Sequence, residues 1–148
     1  MMRGGLIYVH RGLPHAMSRD TLITAIAVVV LIVLAVSLRS LLSFILDTSV
    51  PMAVVSSWSM EPVLHVGDLV VTTGGGSIEL GEVILYRSST HGRLIVHRVV
   101  KISGDRYTTK GDANPVADFR PVPRKNVLGK VVLVIPYVGS IRLIAEKI

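Results

Sequence analysis

From Thr21 to Leu38 the chain carries no charged side chain, and only Thr21, Thr24 and Ser37 are polar. At the α-helical rise of about 1.5 Å per residue this run spans ~27 Å, close to the hydrocarbon thickness of a bilayer. Arg39 follows where its aliphatic stem can lie on apolar surface while the guanidinium reaches the interface. Ser40 to Leu46 either extends the helix or lies along the membrane surface. The run exceeds the ~7–15 residues of a signal peptide's apolar region, which favours a retained transmembrane anchor over a cleaved leader. A buried core helix is the remaining alternative.

From Val50 onward the period changes. Short runs of Val, Ile and Leu are separated by Gly, Pro, Ser and Asp, the pattern of strands and turns. Strands are predicted over Met52–Val55, Asp68–Thr72, Glu82–Arg87, Leu94–Lys101, Arg106–Lys110 and Val127–Ile135. Ser88 to Gly92 reads as a hairpin loop with Gly92 free to take positive φ. Gly74, Gly75 and Gly76 read as a flexible tip, because a phosphate-cradling loop needs a following helix and none is signalled. Ile135 to Ile148 is too short and too charged to span a bilayer, and is expected to close the sheet or lie at the interface. The pattern divides the chain into residues 1–20, a membrane helix with its interfacial extension over 21–46, and a β-domain over 47–148. The predicted class is mainly β, a small antiparallel β-domain behind one N-terminal transmembrane helix. No internal repeat or low-complexity segment is present.

Composition changes this picture in two places. The net charge of +6 raises nucleic acid as a partner, but the basic residues form no stripe or basic helix, and that reading is set aside. Arg3, Arg11 and Arg19 instead precede the apolar run, with no acidic residue before Asp20. This asymmetry predicts a cytoplasmic N-terminal segment and an extracytoplasmic β-domain on a single-pass protein of the cell membrane. The chain has no cysteine, which excludes disulfides, thiolate nucleophiles and Cys-based zinc sites.

The candidate chemistry lies in the β-domain. Ser56-Ser57-Trp58-Ser59-Met60-Glu61-Pro62 places several hydroxyls in a proline-rigidified turn directly after an apolar strand. A serine becomes a nucleophile only if a base takes its proton and donors stabilise the oxyanion. Of the five histidines, His10 and His15 fall on the cytoplasmic side, His91 sits in the hairpin tip, and His65 follows the serine loop closely. His97 lies inside the apolar strand Leu94–Val100, where a polar group needs a partner. Asp112 and Asp118 are the two acids of the loop that follows Lys110, and either can orient a histidine. No His-x-x-x-His or His-Glu-x-x-His spacing is present, so a metal site is not expected.

Taken together these segments resemble the type I signal peptidases, over roughly Met52 to Val134 plus the anchor. Ser57-Trp58-Ser59-Met60-Glu61-Pro62, with Leu64 and then Gly67-Asp68, is similar to the family's nucleophile box, His97-Arg98-Val99-Val100 to its general-base box, and Lys110-Gly111-Asp112-Ala113-Asn114 to its acidic box. His97 stands where the bacterial branch has lysine, as in the archaeal and endoplasmic-reticulum branches. The resemblance implies Ser59 as nucleophile and His97 as base. Asp118 matches the acid that orients the histidine and Asp112 the box's other important acid; both are retained. It further implies an oxyanion hole from the Ser59 N–H and the Ser57 hydroxyl. Met60, Pro62, Gly67 and Asp68 are expected to shape the loop.

A secretory preprotein is then the expected partner, presented at the lipid bilayer by the protein-export channel. Its cleavage segment pairs with strand edges near Met52, Val54, Val55 and Ser56 on one side and Ile95 and Val96 on the other, with small side chains one and three residues before the scissile bond. No metal or organic cofactor is expected. Two alternatives are a non-catalytic membrane-tethered β-module and a Ser–Lys self-cleaving protease of the related repressor-like fold, with Lys101 or Lys110 as base.

Overall fold

The computed structural model describes residues 18–90 and 92–140. The expectations for His10, His15, His91 and the last eight residues therefore lie outside the described part.

Helix α1 runs from Arg19 to Ile45. Ser18 caps it, its Oγ accepting the Thr21 N–H at 3.2 Å, and Asp20 places a negative charge near the positive end of the helix dipole. Ser40 to Ile45 thus continues the helix. None of its residues is buried within the protein, so its apolar side chains have no core to fill. It is long and apolar enough to cross a membrane. The helix ends where Asp47 turns to φ +49° and the Thr48 N–H reaches back to the Ser43 carbonyl at 3.1 Å.

The rest of the described chain forms one antiparallel seven-stranded sheet: β1 (Met52–Val54), β2 (Leu69–Thr73), β3 (Val83–Arg87), β4 (Leu94–Ser103), β5 (Arg106–Lys110), β6 (Val122–Pro123) and β7 (Val127–Ile135), in the order β1-β2-β7-β3-β4-β5-β6. Six strands lie where the alternation predicts them. The two-residue β6 escapes it, because a strand of two residues ending in Pro123 has no readable period. The Ser88–Gly92 hairpin loop is present, with Gly92 at φ +65°.

Strand alternation sorts the core onto two faces. Ile84, Tyr86, Val99, Tyr107 and Val122 form one cluster, against which Ile95 packs. Val55, Met60, Leu64 and Val70 form the other, with Val96 against it. His97 therefore shares a face with Ile95 and Val99, while Val96 points the opposite way.

Gly74 is not a free tip. Its N–H donates to the Leu46 carbonyl at 2.8 Å, and a Cβ there would collide with the Asp47 carbonyl oxygen. The glycine at this position is explained by close backbone approach at the start of the β-domain.

Candidate active site

The loop after β1 turns through a single 3₁₀ turn, Trp58–Met60, which displays Ser59. Met60, 1% exposed, plugs the core beneath it. Asp68, 2% exposed, holds the loop's far end, its carboxylate accepting the His65 N–H at 2.8 Å and the Tyr137 N–H at 3.1 Å. Gly67 takes φ +97°, a backbone state that favours glycine.

β4 brings His97 to this turn. The His97 Nε2 lies 3.1 Å from the Ser59 Oγ, and its Nδ1 lies 2.7 Å from the Asp118 Oδ2. A carboxylate can only accept, so Nδ1 carries the proton and Nε2 is left as the acceptor for the Ser59 O–H. The Ser57 hydroxyl, 3.1 Å from the Ser59 Oγ, then donates to it. His97 is 7% exposed, so this partner set replaces the water it has lost.

Asp118 is held by more than His97. Its Oδ2 also accepts the Thr109 hydroxyl at 2.6 Å and the Tyr86 hydroxyl at 3.0 Å, and its N–H donates to the Thr109 carbonyl at 2.8 Å. Burial pushes this carboxyl up, but the hydrogen bonds from His97, Thr109 and Tyr86 outweigh burial and hold it below the ordinary carboxylate range. Burial drives the Tyr86 phenol far above its ordinary value, and the Asp118 charge adds to this. Tyr86 therefore remains a protonated donor. Neither Tyr86 nor Thr109 stands out in the sequence; only their inward positions on β3 and β5 could have signalled them.

Asp112 is engaged elsewhere. Its two oxygens take the Arg98 Nε and Nη2 at 2.9 and 2.7 Å, a bidentate pair that raises the Arg98 pKa. The Arg98 Nη1 also donates to the Gly81 carbonyl at 2.7 Å. This clamp ties the loop after β5 to β4. The same loop touches the Ser59 turn: the Ala113 N–H donates to the Ser59 carbonyl at 2.9 Å, and a Cβ on Gly111 would stand 2.5 Å from that carbonyl oxygen. Gly111 is required by this contact.

The β4 edge beside the site is open. β5 pairs with β4 only from Arg98 onward, leaving Leu94 to His97 without a strand on that side. A cavity of about 370 Å³ lies along this edge, lined by Val55, Ser56, Met60, Ile95 and Val96 together with the catalytic candidates Ser57, Ser59 and His97, and bordered at its far end by Ser88, Arg93 and Leu94. Met52 and Val54 lie on β1 outside its lining; Val54 packs against Gly139 instead. Lys101 and Lys110 pair within the β4–β5 ladder, opposite Thr108 and Arg98. The hydrogen-bonding partners of the Ser59 hydroxyl are His97 and Ser57.

The signal peptidase, peptidase S26 family model matches residues 21–118 of this chain, from the helix through Asp118. The chain belongs to that family. It is 36% identical over 108 residues to the signal peptidase complex catalytic subunit SEC11C of Homo sapiens, an overlap covering 64% of this chain and 56% of that protein. The SEC11 catalytic subunit of Fusarium vanettenii is 36% identical over 120 residues, covering 72% of this chain and 70% of that relative. The corresponding Colletotrichum graminicola subunit is 35% identical over the same shares. The chain thus spans little more than half the length of SEC11C. Within this peptidase S26 chain, the matched segment includes each side chain of the Ser59–His97–Asp118 array.

Proposed function

We propose that this signal peptidase family member is a membrane-anchored serine endopeptidase that removes N-terminal signal peptides from exported preproteins. The observation that carries the reading is the continuous chain from the Ser59 hydroxyl through both His97 nitrogens to the Asp118 carboxylate, with contacts of 3.1 and 2.7 Å. Ser59 is the nucleophile, His97 the general base and Asp118 the acid that orients it. Asp112 positions the loop through Arg98 rather than touching the histidine.

His97 takes the Ser59 proton at Nε2 while Oγ bonds to the scissile carbonyl carbon. The resulting oxyanion is met by the Ser59 N–H, which lies in the first turn of a 3₁₀ segment and has no intrahelical acceptor there, and by the Ser57 hydroxyl. The imidazolium returns the proton to the leaving amine nitrogen as the C–N bond breaks. Water, deprotonated by the same nitrogen, then attacks the acyl carbon, and the proton passes to the Ser59 Oγ as the C–Oγ bond breaks and the acyl group leaves. The cleavage segment lies extended along the open edge of β4 opposite Val55 and Ser56. Helix α1 anchors the protein in the cell membrane, with residues 1–20 cytoplasmic and the β-domain outside, facing preproteins as they leave the export channel.

The test is incubation of the detergent-solubilised chain with a preprotein carrying an Ala-x-Ala site. Cleavage after the second Ala is expected from the native protein, and none from Ser59→Ala. Cleavage by Ser59→Ala at the native rate would remove Ser59 from the mechanism.

A further inference from the structure

A second cavity, of about 360 Å³, opens on the other side of Ile95. It shares Ile95 and Ser88 with the cavity along β4, so the two adjoin at these residues. Its floor is apolar, built by Ile95, Pro121 and Val122, and Phe119 stands at its rim, 96% exposed. Its wall carries two guanidiniums where the groove carries one, that of Arg93. Arg87 and Arg120 flank it, with the hydroxyls of Ser88, Ser89 and Thr90 between them. Among the described residues neither guanidinium pairs with a carboxylate. Arg87 donates to the Gly92 carbonyl at 3.3 Å and Arg120 to the Thr90 hydroxyl at 3.5 Å, which leaves both with donors to spare. Asp118 also borders the cavity, but its Oδ2 already accepts three donors. Two guanidiniums against one carboxylate leave the wall net positive.

We propose that this cavity is a specificity subsite for an acidic side chain at the fourth residue before the scissile bond. The inference rests on the protease reading above. A substrate strand along the β4 edge alternates its side chains in step with β4. Residues one and three before the scissile bond face Val96, Val55 and Met60. Residues two and four face the side of His97 and Ile95. With about 6.6 Å between alternate residues, the second meets His97, beside the nucleophile, and the fourth meets Ile95, at the mouth of the basic cavity. Ser88 fits this placement, since its N–H donates to the carbonyl of Arg93 at 2.8 Å, two residues further from the nucleophile than Ile95. The apolar positions of the groove, Val55, Met60 and Val96, select by size; the adjoining cavity selects by charge.

The experiment uses the full chain in detergent and Ala-x-Ala preproteins that differ only in having Asp, Ala or Lys at the fourth position. The quantity read is the Asp-to-Lys ratio of kcat/KM within one enzyme preparation, which is independent of the amount of folded enzyme. Partly exposed ion pairs set the expected preference at about threefold to tenfold for Asp over Lys. In the Arg87→Ala/Arg120→Ala double variant the ratio should fall to about one, and in Arg120→Glu it should invert. A native ratio near one, a ratio that survives the double variant, or discrimination at the second position instead of the fourth overturns the subsite while leaving the protease intact. Failure to cleave even the Ala substrate overturns the protease reading and the subsite with it.

Discussion

Gly111 offers the sharpest test of how this fold positions Ser59, the proposed nucleophile. A Cβ at that position stands 2.5 Å from the Ser59 carbonyl oxygen, 2.8 Å from the Asn114 Nδ2 and 3.0 Å from its Cγ, where ordinary contact begins at 3.4 Å. Gly111→Ala must therefore push the Ser59 backbone and its own loop apart by about 0.9 Å, the difference between 3.4 and 2.5 Å. Neither side gives easily, because the Arg98–Asp112 clamp fixes the loop and buried Met60 fixes the turn. The same displacement stretches the Ala113-to-Ser59 hydrogen bond and moves the Ser59 Oγ off the His97 Nε2. A misplacement of about 1 Å costs on the order of 10²-fold in rate, while overpacking of this kind costs ~1–3 kcal/mol in stability. The expected outcome is a folded protein whose kcat falls ~100-fold with KM little altered. Steady-state cleavage of an Ala-x-Ala preprotein, alongside thermal unfolding, measures both. Adding Asn114→Ala should not restore the rate, because the backbone contact with Ser59 remains. A Gly111→Ala protein with native kcat and native melting temperature would refute the idea that this approach holds the nucleophile.

Asp118→Asn should lower kcat by about 10⁴-fold, the scale seen when a triad histidine loses its orienting carboxylate, whereas Asp112→Asn should act through the loop and leave the pH profile of kcat/KM unchanged in shape. The Asp118 carboxyl is held below its ordinary range, so its ionised form stabilises the fold fully above the unfolded value of about 3.9 and loses that contribution as pH falls through the lower folded value. Urea melts from pH 7 to pH 2 should accordingly show the native-minus-Asp118→Asn stability difference shrinking below about pH 4; a difference that grows on acidification contradicts the assigned hydrogen bonds. Asp68→Ala strips two backbone N–H groups of their acceptor and should cost ~2–4 kcal/mol in chemical denaturation, against near-neutral behaviour if the loop end were solvated.

Much of the architecture is a local property of the chain. The charge-free run from Thr21 to Leu38 makes a helix without a core to fill, and alternation with turn residues marks six of the seven strands, because both periods are written within a few neighbouring residues. The Ser57–Pro62 and His97–Val100 segments were legible as chemistry for the same reason: each is a short contiguous motif. The division of labour between Asp112 and Asp118 was not legible as chemistry: both acids occupy one Gly- and Pro-rich loop, and only the family resemblance matched Asp118 to the histidine. Only the pairing of β4 with β5 turns Asp112 toward Arg98 and Asp118 toward His97. Tyr86 and Thr109 were equally silent, since Tyr86 meets Asp118 across 32 residues of sequence, where strand register alone decides which hydroxyls converge on the carboxylate. The same holds for Gly111 and for the cavity behind Ile95: a contact between two loops, or the space between two strand ends, exists only once long-range pairing has set backbone positions to within about 1 Å, the tolerance the chemistry demands.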